Sequence, residues 1–88
     1  SLFVLRVQGH SMTGAGILDG DYVVCHRQPT AENGQLVVAI VEGEQATIKR
    51  FFKETSQVCL VPANDAFEPI YSRQCRIEAI VVGLIRRM

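Results

Sequence analysis

Six short segments rich in β-branched and aromatic residues constrain the fold of this chain more than any other feature of its sequence. Such residues fit the pleated surface of a sheet, so the segments predict strands rather than helices. The segments are LFVLRV (Leu2 to Val7), DYVVCHR (Asp21 to Arg27), QLVVAIVE (Gln35 to Glu42), QATIKRFF (Gln45 to Phe52), QVCLVP (Gln57 to Pro62) and RIEAIVVGLI (Arg76 to Ile85). We therefore predict a mostly β fold.

Turn signals between these segments indicate how the strands connect. EGE at Glu42 to Glu44 is placed to form a hairpin, and PANDAFEP at Pro62 to Pro69 is expected to be an irregular loop that Phe67 packs onto the body. Leu36 to Val41 and Ile80 to Ile85 are apolar on both faces, so they should lie centrally or against a partner surface. The pattern predicts a mostly antiparallel, strongly curved sheet.

Length, charge and cysteine usage bound the function. The 88 residues suit one small domain, residues 1–88, with a modest core. Nine Lys and Arg balance nine Asp and Glu, which argues against a nucleic-acid-binding domain with a basic face. Cys25, Cys59 and Cys75 lack CxxC spacing, so we expect buried free thiols in a reducing compartment such as the cytoplasm. No apolar run is long enough to cross a bilayer.

The segment QGHSMTGAGILDGD, Gln8 to Asp21, departs from the strand pattern. It concentrates four glycines, one serine and two acids in fourteen positions and is far longer than a hairpin turn requires. Glycines permit backbone conformations that other residues resist, and they let another strand approach closely. The segment has the character of a site, although Ser11 taken alone also fits an ordinary turn.

A lysine within a strand makes Ser11 a candidate nucleophile. Alternation along QATIKRFF places Lys49 on the same face as Thr47 and Phe51, where its amine is poorly hydrated. Burial disfavours the charged form of lysine, and a neutral amine can take the proton of a serine hydroxyl. The alternative, which the residues alone leave open, is a lysine that extends along the strand edge with its ammonium in water.

The acids and the histidine of the glycine-rich segment are poorer catalytic candidates. A carboxylate beside Lys49 would hold the amine protonated, so we interpret Asp19 and Asp21 as residues of a turn and of a strand start. His10 and Ser11 are neighbours in an extended chain and should point to opposite sides, which makes His10 a poor base for Ser11.

Six blocks, in order along the chain, resemble the C-terminal peptidase domain of the LexA-type repressors and their relatives, the UmuD proteins and phage repressors. The blocks are VQGHSM, GILDGD, NGQLVVA, EQATIKRF, LVPANDAFEPI and VVGLIR. The resemblance covers nearly the whole chain. It implies the LexA-like β fold, related to that of signal peptidases. It also implies a serine endopeptidase whose Ser-Lys dyad cleaves its own chain, usually at an Ala-Gly bond upstream of the domain.

The resemblance also implies roles for individual residues. Ser11 matches the family's nucleophile, Lys49 its general base and Thr47 a threonine that orients the amine. Met12 completes the family's Ser-Met pair as a supporting residue, and the backbone amides of His10 and Ser11 would form the oxyanion hole. Neither a metal nor another cofactor is implied. His10 departs from the family pattern, which more often has Met or Asp at that position.

The resemblance also implies binding partners and a biological process. The resemblance implies a homodimer formed through the strand Ile80 to Ile85, although a central core strand would look alike in sequence. It implies a role in the SOS response to DNA damage and in DNA repair, with a RecA filament on single-stranded DNA as activator. DNA would be bound only through an N-terminal helix-turn-helix domain, and no membrane is involved. We expect residues 1–88 to be the catalytic and dimerisation core, without that domain or the cleavage segment.

Several functions remain open on the sequence. The favoured one is the peptidase domain of a self-cleaving transcriptional repressor, with cleavage that is faster at alkaline pH. A UmuD-like mutagenesis protein or a phage repressor would share the same blocks. A signal peptidase shares a Ser-Met and a Lys-Arg block but fits GILDGD and NGQLVVA less well. A dimerisation module without catalysis would apply if Ser11 and Lys49 do not meet.

Overall fold

A seven-stranded antiparallel sheet forms the body of the protein. The computed structural model describes residues 1–88. The strands are β1 Leu2–Arg6, β2 Tyr22–Arg27, β3 Leu36–Val41, β4 Ala46–Lys53, β5 Val58–Val61, β6 Ile70–Ser72 and β7 Cys75–Ile85. Their order across the sheet is β1-β2-β7-β3-β4-β5-β6, and every neighbouring pair is antiparallel. A short 3-10 turn, Thr13–Ala15, is the one helical element, so no helix has the length and hydrophobicity needed to cross a membrane.

The six predicted strands are confirmed, and the predicted hairpin joins β3 to β4 with the Glu44 amide donating to the Val41 carbonyl at 2.9 Å. β6 was not predicted from the sequence. This strand has only three residues, follows Pro69 and pairs with β5 alone at the edge of the sheet. Three residues are too few to show the alternation on which strand prediction depends.

The curvature of the sheet brings distant strands to one side. β1 and β4 are four steps apart in the strand order, which would separate them by about 19 Å in a flat sheet. Leu5 of β1 and Ile48 of β4 nevertheless pack against the same core cluster. Irregularities in the pairing of β7, at Val24/Cys25 of β2 and at Val38/Ala39 of β3, supply extra twist. The predicted strong curvature is confirmed.

β3 lies at the centre of two core clusters. Val38 belongs to a cluster with Val7, Met12 and Ile17, whereas its neighbours Val37 and Ala39 belong to a second cluster with Phe51 and Leu60. Successive residues of a strand face opposite sides, so the two clusters cover the two faces of β3. Full burial of a side chain of this size contributes about 1.5–3 kcal/mol. The first cluster also fastens the glycine-rich segment to the sheet.

β7 is long enough to pair with two neighbouring strands, β3 and β2. Its first half pairs with β3, ending at Val37 opposite Ile80, and its second half pairs with β2, ending at Tyr22 opposite Ile85. The strand is therefore central in the sheet, as predicted. Beyond Ile80, however, only β2 accompanies it, and Val82 and Ile85 are exposed.

The packing expected of Phe67 is wrong. Its side chain is exposed, and its amide donates to the Asn64 carbonyl at 3.0 Å. Hydrogen bonds from Ala63 and Asn64 attach this loop to the protein instead.

Candidate active site

Ser11 lies in the glycine-rich segment, which connects β1 to β2. The two ends of the segment are tied together, because the Val7 amide donates to the Asp21 carbonyl at 2.8 Å and the Gly20 amide donates to the Val7 carbonyl at 2.9 Å. Met12, directly after the serine, is only 3% exposed and packs in the first core cluster. Ser11 itself is partly exposed. The segment thus presents the hydroxyl at the surface while its neighbour is held in the core.

Glycines are needed in this segment for two different physical reasons. Gly9 has a φ of 87° and Gly16 a φ of 79°, a left-handed region that residues with a Cβ rarely adopt. Gly16 in this conformation ends the 3-10 turn beside Ser11. Gly14 is needed for space, since a Cβ there would lie 2.5 Å from the Ala63 carbonyl oxygen. The glycine pattern seen in the sequence is confirmed as a backbone requirement.

Lys49 of β4 reaches the serine. Its Nζ lies 3.0 Å from Ser11 Oγ, 2.7 Å from Thr47 Oγ1 and 3.1 Å from the Ile48 carbonyl oxygen. Thr47 shares a strand face with Lys49, as alternation predicted. The structure therefore brings together the three side chains that the sequence singled out.

The amine of Lys49 is buried without a countercharge. Lys49 is 6% exposed, and none of the ion pairs of the protein involves it. Burial lowers the pKa of Lys49 below its ordinary value. The prediction of a buried lysine is confirmed, and a lysine with its ammonium in water is excluded.

The surroundings of Lys49 also fix the direction of its lone pair in the neutral form. A neutral amine has two N–H donors and one lone pair. When the two donors engage Thr47 Oγ1 and the Ile48 carbonyl, the lone pair faces Ser11 Oγ. The hydroxyl of Ser11 can then donate its proton to Lys49, which is the geometry required of a nucleophile and its base.

Backbone donors beside Ser11 are free. The amides of His10, Ser11 and Met12 donate no hydrogen bond within the protein, whereas the amides of the following residues, Thr13 to Ile17, all do. The His10 carbonyl accepts from Asn64 Nδ2 at 2.8 Å, which fixes the backbone just before the nucleophile. The imidazole of His10 is exposed and forms no hydrogen bond with Ser11.

The loop after β5 is hydrogen-bonded to the glycine-rich segment at Ser11 and Gly14. The Ala63 amide donates to the Ser11 carbonyl at 2.8 Å, and the Ala63 carbonyl accepts from the Gly14 amide at 2.6 Å. This support from Ala63 and Asn64 was not predicted from the sequence. These contacts join residues that are distant in sequence, mainly through backbone groups, so no pattern of residue types predicts them.

A cleft of about 380 Å³ opens beside the serine. Its walls are the end of β1, the start of β4, and Ser11 and Met12 between them. β1 is an edge strand, and β5 pairs with β4 only from Arg50 onward, so Ala46 to Lys49 have a strand neighbour on one side only. Unpaired strand edges on both walls suit an extended peptide that binds by backbone hydrogen bonds.

An ion pair that was not predicted from the sequence lies at the C-terminal end of the glycine-rich segment. Arg86 donates through Nε to Asp21 Oδ1 at 2.8 Å and through Nη2 to Asp21 Oδ2 at 2.7 Å. The Arg86 guanidinium lowers the pKa of Asp21 to about 2. Asp21 is thus more than the strand-start residue predicted, whereas Asp19 does act within the turn by accepting the Gly9 amide at 2.8 Å. The partners are 65 residues apart, so the sequence gives no sign that they meet.

Comparison with known proteins finds one matching family model and several similar LexA repressors. A sequence model described as Peptidase S24-like matches residues 1–82. The LexA repressor of Lactobacillus delbrueckii subsp. bulgaricus is 53% identical over 85 residues, which cover 97% of this chain and 41% of that relative. The LexA repressor of Clostridioides difficile is 54% identical over 86 residues, covering 96% of this chain and 41% of that relative. The LexA repressor of Geobacillus kaustophilus is 52% identical over 85 residues, covering 97% and 41%. The chain therefore spans about two fifths of the length of these relatives.

Proposed function

The chain belongs to the Peptidase S24-like family, and from that premise we propose that it is the self-cleaving serine peptidase domain of a LexA-type transcriptional repressor. The observation that carries the proposal is the contact between Lys49 Nζ and Ser11 Oγ at 3.0 Å, made by a lysine that is buried and has no ion-pair partner. A lysine in this position is unfavourable for folding unless it can lose its proton. Its presence next to a serine in a peptidase family favours a catalytic role.

The proposed reaction begins with proton transfer from Ser11 to neutral Lys49. Ser11 Oγ attacks the carbonyl carbon of the scissile bond, and the amides of His10 and Ser11 stabilise the resulting oxyanion. The Lys49 ammonium then gives its proton to the leaving amine, the C–N bond breaks and an acyl-serine forms. Water, deprotonated by Lys49, hydrolyses this ester and restores Ser11. Thr47 orients the amine in both steps.

The substrate in this proposal is the chain's own segment N-terminal to Ser1. It would lie in the cleft between β1 and β4 as an extended strand, with an Ala-Gly type bond at Ser11. The unpaired backbone of Ala46 to Lys49 supports this placement. We propose that docking removes water from Lys49 and so promotes the neutral amine.

Regulation and assembly belong to the same proposal. The relatives are named repressors, which favours a repressor over a UmuD-like protein. DNA binding would reside in a domain N-terminal to these residues, with a RecA filament as activator in the SOS response. The chain would dimerise through the second half of β7, where one strand edge is free beyond Ile80. Three free cysteines suit the cytoplasm.

Cleavage of the natural protein that carries the upstream segment tests the proposal. The wild type, Ser11→Ala and Lys49→Met are incubated near pH 7 and at about pH 10, close to the ordinary lysine pKa, and the fragments are weighed by mass spectrometry. We expect one cut that is faster at the higher pH and absent from both variants. Lys53→Met, which alters an exposed lysine of the same strand, is the matched control and should be cut like wild type. An intact wild type under all conditions, with and without RecA filaments, would favour a dimerisation module without catalysis.

A further inference from the structure

Both sides of the glycine-rich segment that carries Ser11 are hydrogen-bonded to one buried residue, Asp21. Asp21 is 4% exposed, and its backbone carbonyl accepts the amide of Val7, on the N-terminal side of Ser11. Its side-chain Oδ2 accepts the amide of Leu18, on the C-terminal side, at 2.7 Å. A shift of Asp21 would therefore move both ends of the segment that carries the nucleophile.

Arg86 locks this carboxylate and also contacts the segment directly. Besides its two bonds to Asp21, its Nη2 donates to the Gly16 carbonyl at 2.8 Å. Gly16 closes the 3-10 turn Thr13–Ala15, which begins two residues after Ser11. The planar guanidinium can serve the two carboxylate oxygens and a carbonyl together, which a lysine ammonium does not do with the same geometry.

We propose that Arg86 and Asp21 are positioning residues for Ser11, which hold the serine segment at the distance from Lys49 that proton transfer requires. This inference rests on the proposed function, because it assigns the pair a role in that reaction. Neither residue touches the reacting atoms. Misplacement of a catalytic group by about 1 Å can cost about 100-fold in rate, and the Ser11 to Lys49 contact of 3.0 Å has no margin for a shift of that size.

Chemical rescue of self-cleavage provides the test. In the natural protein with its upstream segment, Arg86→Ala should lower the cleavage rate per folded molecule by about 10- to 100-fold. The side chain of Arg86 is partly open to solvent, so ethylguanidinium at millimolar concentration can enter the space it leaves and should restore part of the rate. In Asp21→Asn the carboxylate is gone and the Arg86 side chain still fills the guanidinium position, so its lowered rate should not respond to ethylguanidinium.

The neighbouring arginine offers a matched control. Arg87 is exposed and contributes no side-chain hydrogen bond or ion pair, so Arg87→Ala should cleave at the wild-type rate with or without ethylguanidinium. Circular dichroism gives the folded fraction of each variant. If Arg86→Ala does not fold, Arg86→Lys replaces it, and a lowered rate per folded molecule supports the inference.

The possible failures are distinguishable. An uncut wild type would overturn the proposed function and this inference with it. A wild type that cuts, beside a folded Arg86→Ala or Arg86→Lys variant that cuts equally fast, would overturn the inference alone. A slow Arg86→Ala variant that ethylguanidinium does not rescue would also overturn it, because the loss would then not come from the missing contact between the guanidinium and Asp21.

Discussion

Lys49 Nζ lies 3.0 Å from Ser11 Oγ although 38 residues separate the two in the chain. The contact joins a strand in the middle of the sequence to a connection near its beginning, and the curvature of the sheet makes it possible. Lys49 has hydrogen-bond acceptors but no carboxylate beside it. This arrangement lowers the pKa of the amine without holding it protonated, which is the condition a general base needs.

The stability of the wild type should depend on pH through Lys49. Burial lowers the pKa of Lys49 in the folded protein below the ordinary 10.5, to which it returns on unfolding. Between these two pKa values the unfolded chain binds the extra proton, so the free energy of unfolding rises with pH. Relative to Lys49→Met, the wild type should gain stability as pH rises toward 10.5, with a slope of at most about 1.4 kcal/mol per pH unit.

Urea unfolding of wild type and Lys49→Met across this pH range measures the difference. Titration of the cysteines and tyrosines affects both proteins and cancels. Lys53→Met, which alters an exposed lysine of the same strand, controls for the loss of one positive charge. Parallel stability curves for wild type and Lys49→Met would mean that the pKa of Lys49 is not lowered by folding.

Asp21 should make the protein sensitive to acid. Its pKa falls from 3.8 to about 2 because of the hydrogen bonds from Arg86 and Leu18. A lowered folded-state pKa gives stability that is present above the unfolded pKa and lost as pH falls through the folded one. The stability advantage of wild type over Asp21→Asn should therefore shrink between about pH 4 and about pH 2. Thermal unfolding followed by circular dichroism at several acidic pH values checks this, and a constant difference would contradict it.

The two methionines provide a matched pair for core packing. Met12 is 3% exposed and packs with Val7 and Ile17, whereas Met88 is fully exposed at the chain end. Met12→Ala should lower the free energy of unfolding by about 2–5 kcal/mol, because it leaves a cavity in the core. Met88→Ala should leave it unchanged. Denaturant unfolding at neutral pH measures both, and equal stabilities would show that Met12 does not anchor the serine segment.

In the proposed dimer, the free edge of β7 is the place where a second copy would bind. Beyond Ile80 the strand pairs with β2 alone, and the side chain of Ile85 is exposed. A charge buried in an apolar interface is unfavourable, so Ile85→Glu should raise the dimer dissociation constant by at least about 10-fold. Sedimentation velocity measures this constant. Tyr71→Glu, at an exposed position on β6, is the control and should dimerise like wild type. Unchanged dimerisation of Ile85→Glu would place the interface elsewhere.

Much of the fold was predictable because strand signals are local. The six longer strands and the Glu42 to Glu44 hairpin follow from residue type and alternation. β6 was missed because Ile70 to Ser72 are too few to show a pattern, and Phe67 was misplaced because backbone hydrogen bonds, rather than apolar packing, hold its loop.

Some residues of the candidate site were also predictable from the sequence, and others were not. The placement of Ser11, Lys49 and Thr47 was predictable, since alternation sets a strand face and the family resemblance covers these positions. The Asp21 to Arg86 pair was not, because a charged pair between distant residues leaves no periodic trace in the sequence. The glycine-rich segment indicated a functional site, whereas the residues that hold the segment in place could be identified only from the structure.

The reactivity of Ser11 as a function of pH tests the central claim most directly. A fluorophosphonate probe reacts with an activated serine, whose Oγ bonds to phosphorus as fluoride leaves, so the 88-residue chain can be assayed without a peptide substrate. Labelling is followed by intact mass and located by peptide mapping. The account predicts labelling at Ser11 that rises with pH, levels off below the ordinary lysine pKa of 10.5, and is lost in Lys49→Met but kept in Lys53→Met. Labelling of Ser11 at equal rates in wild type and Lys49→Met would contradict a Ser-Lys dyad.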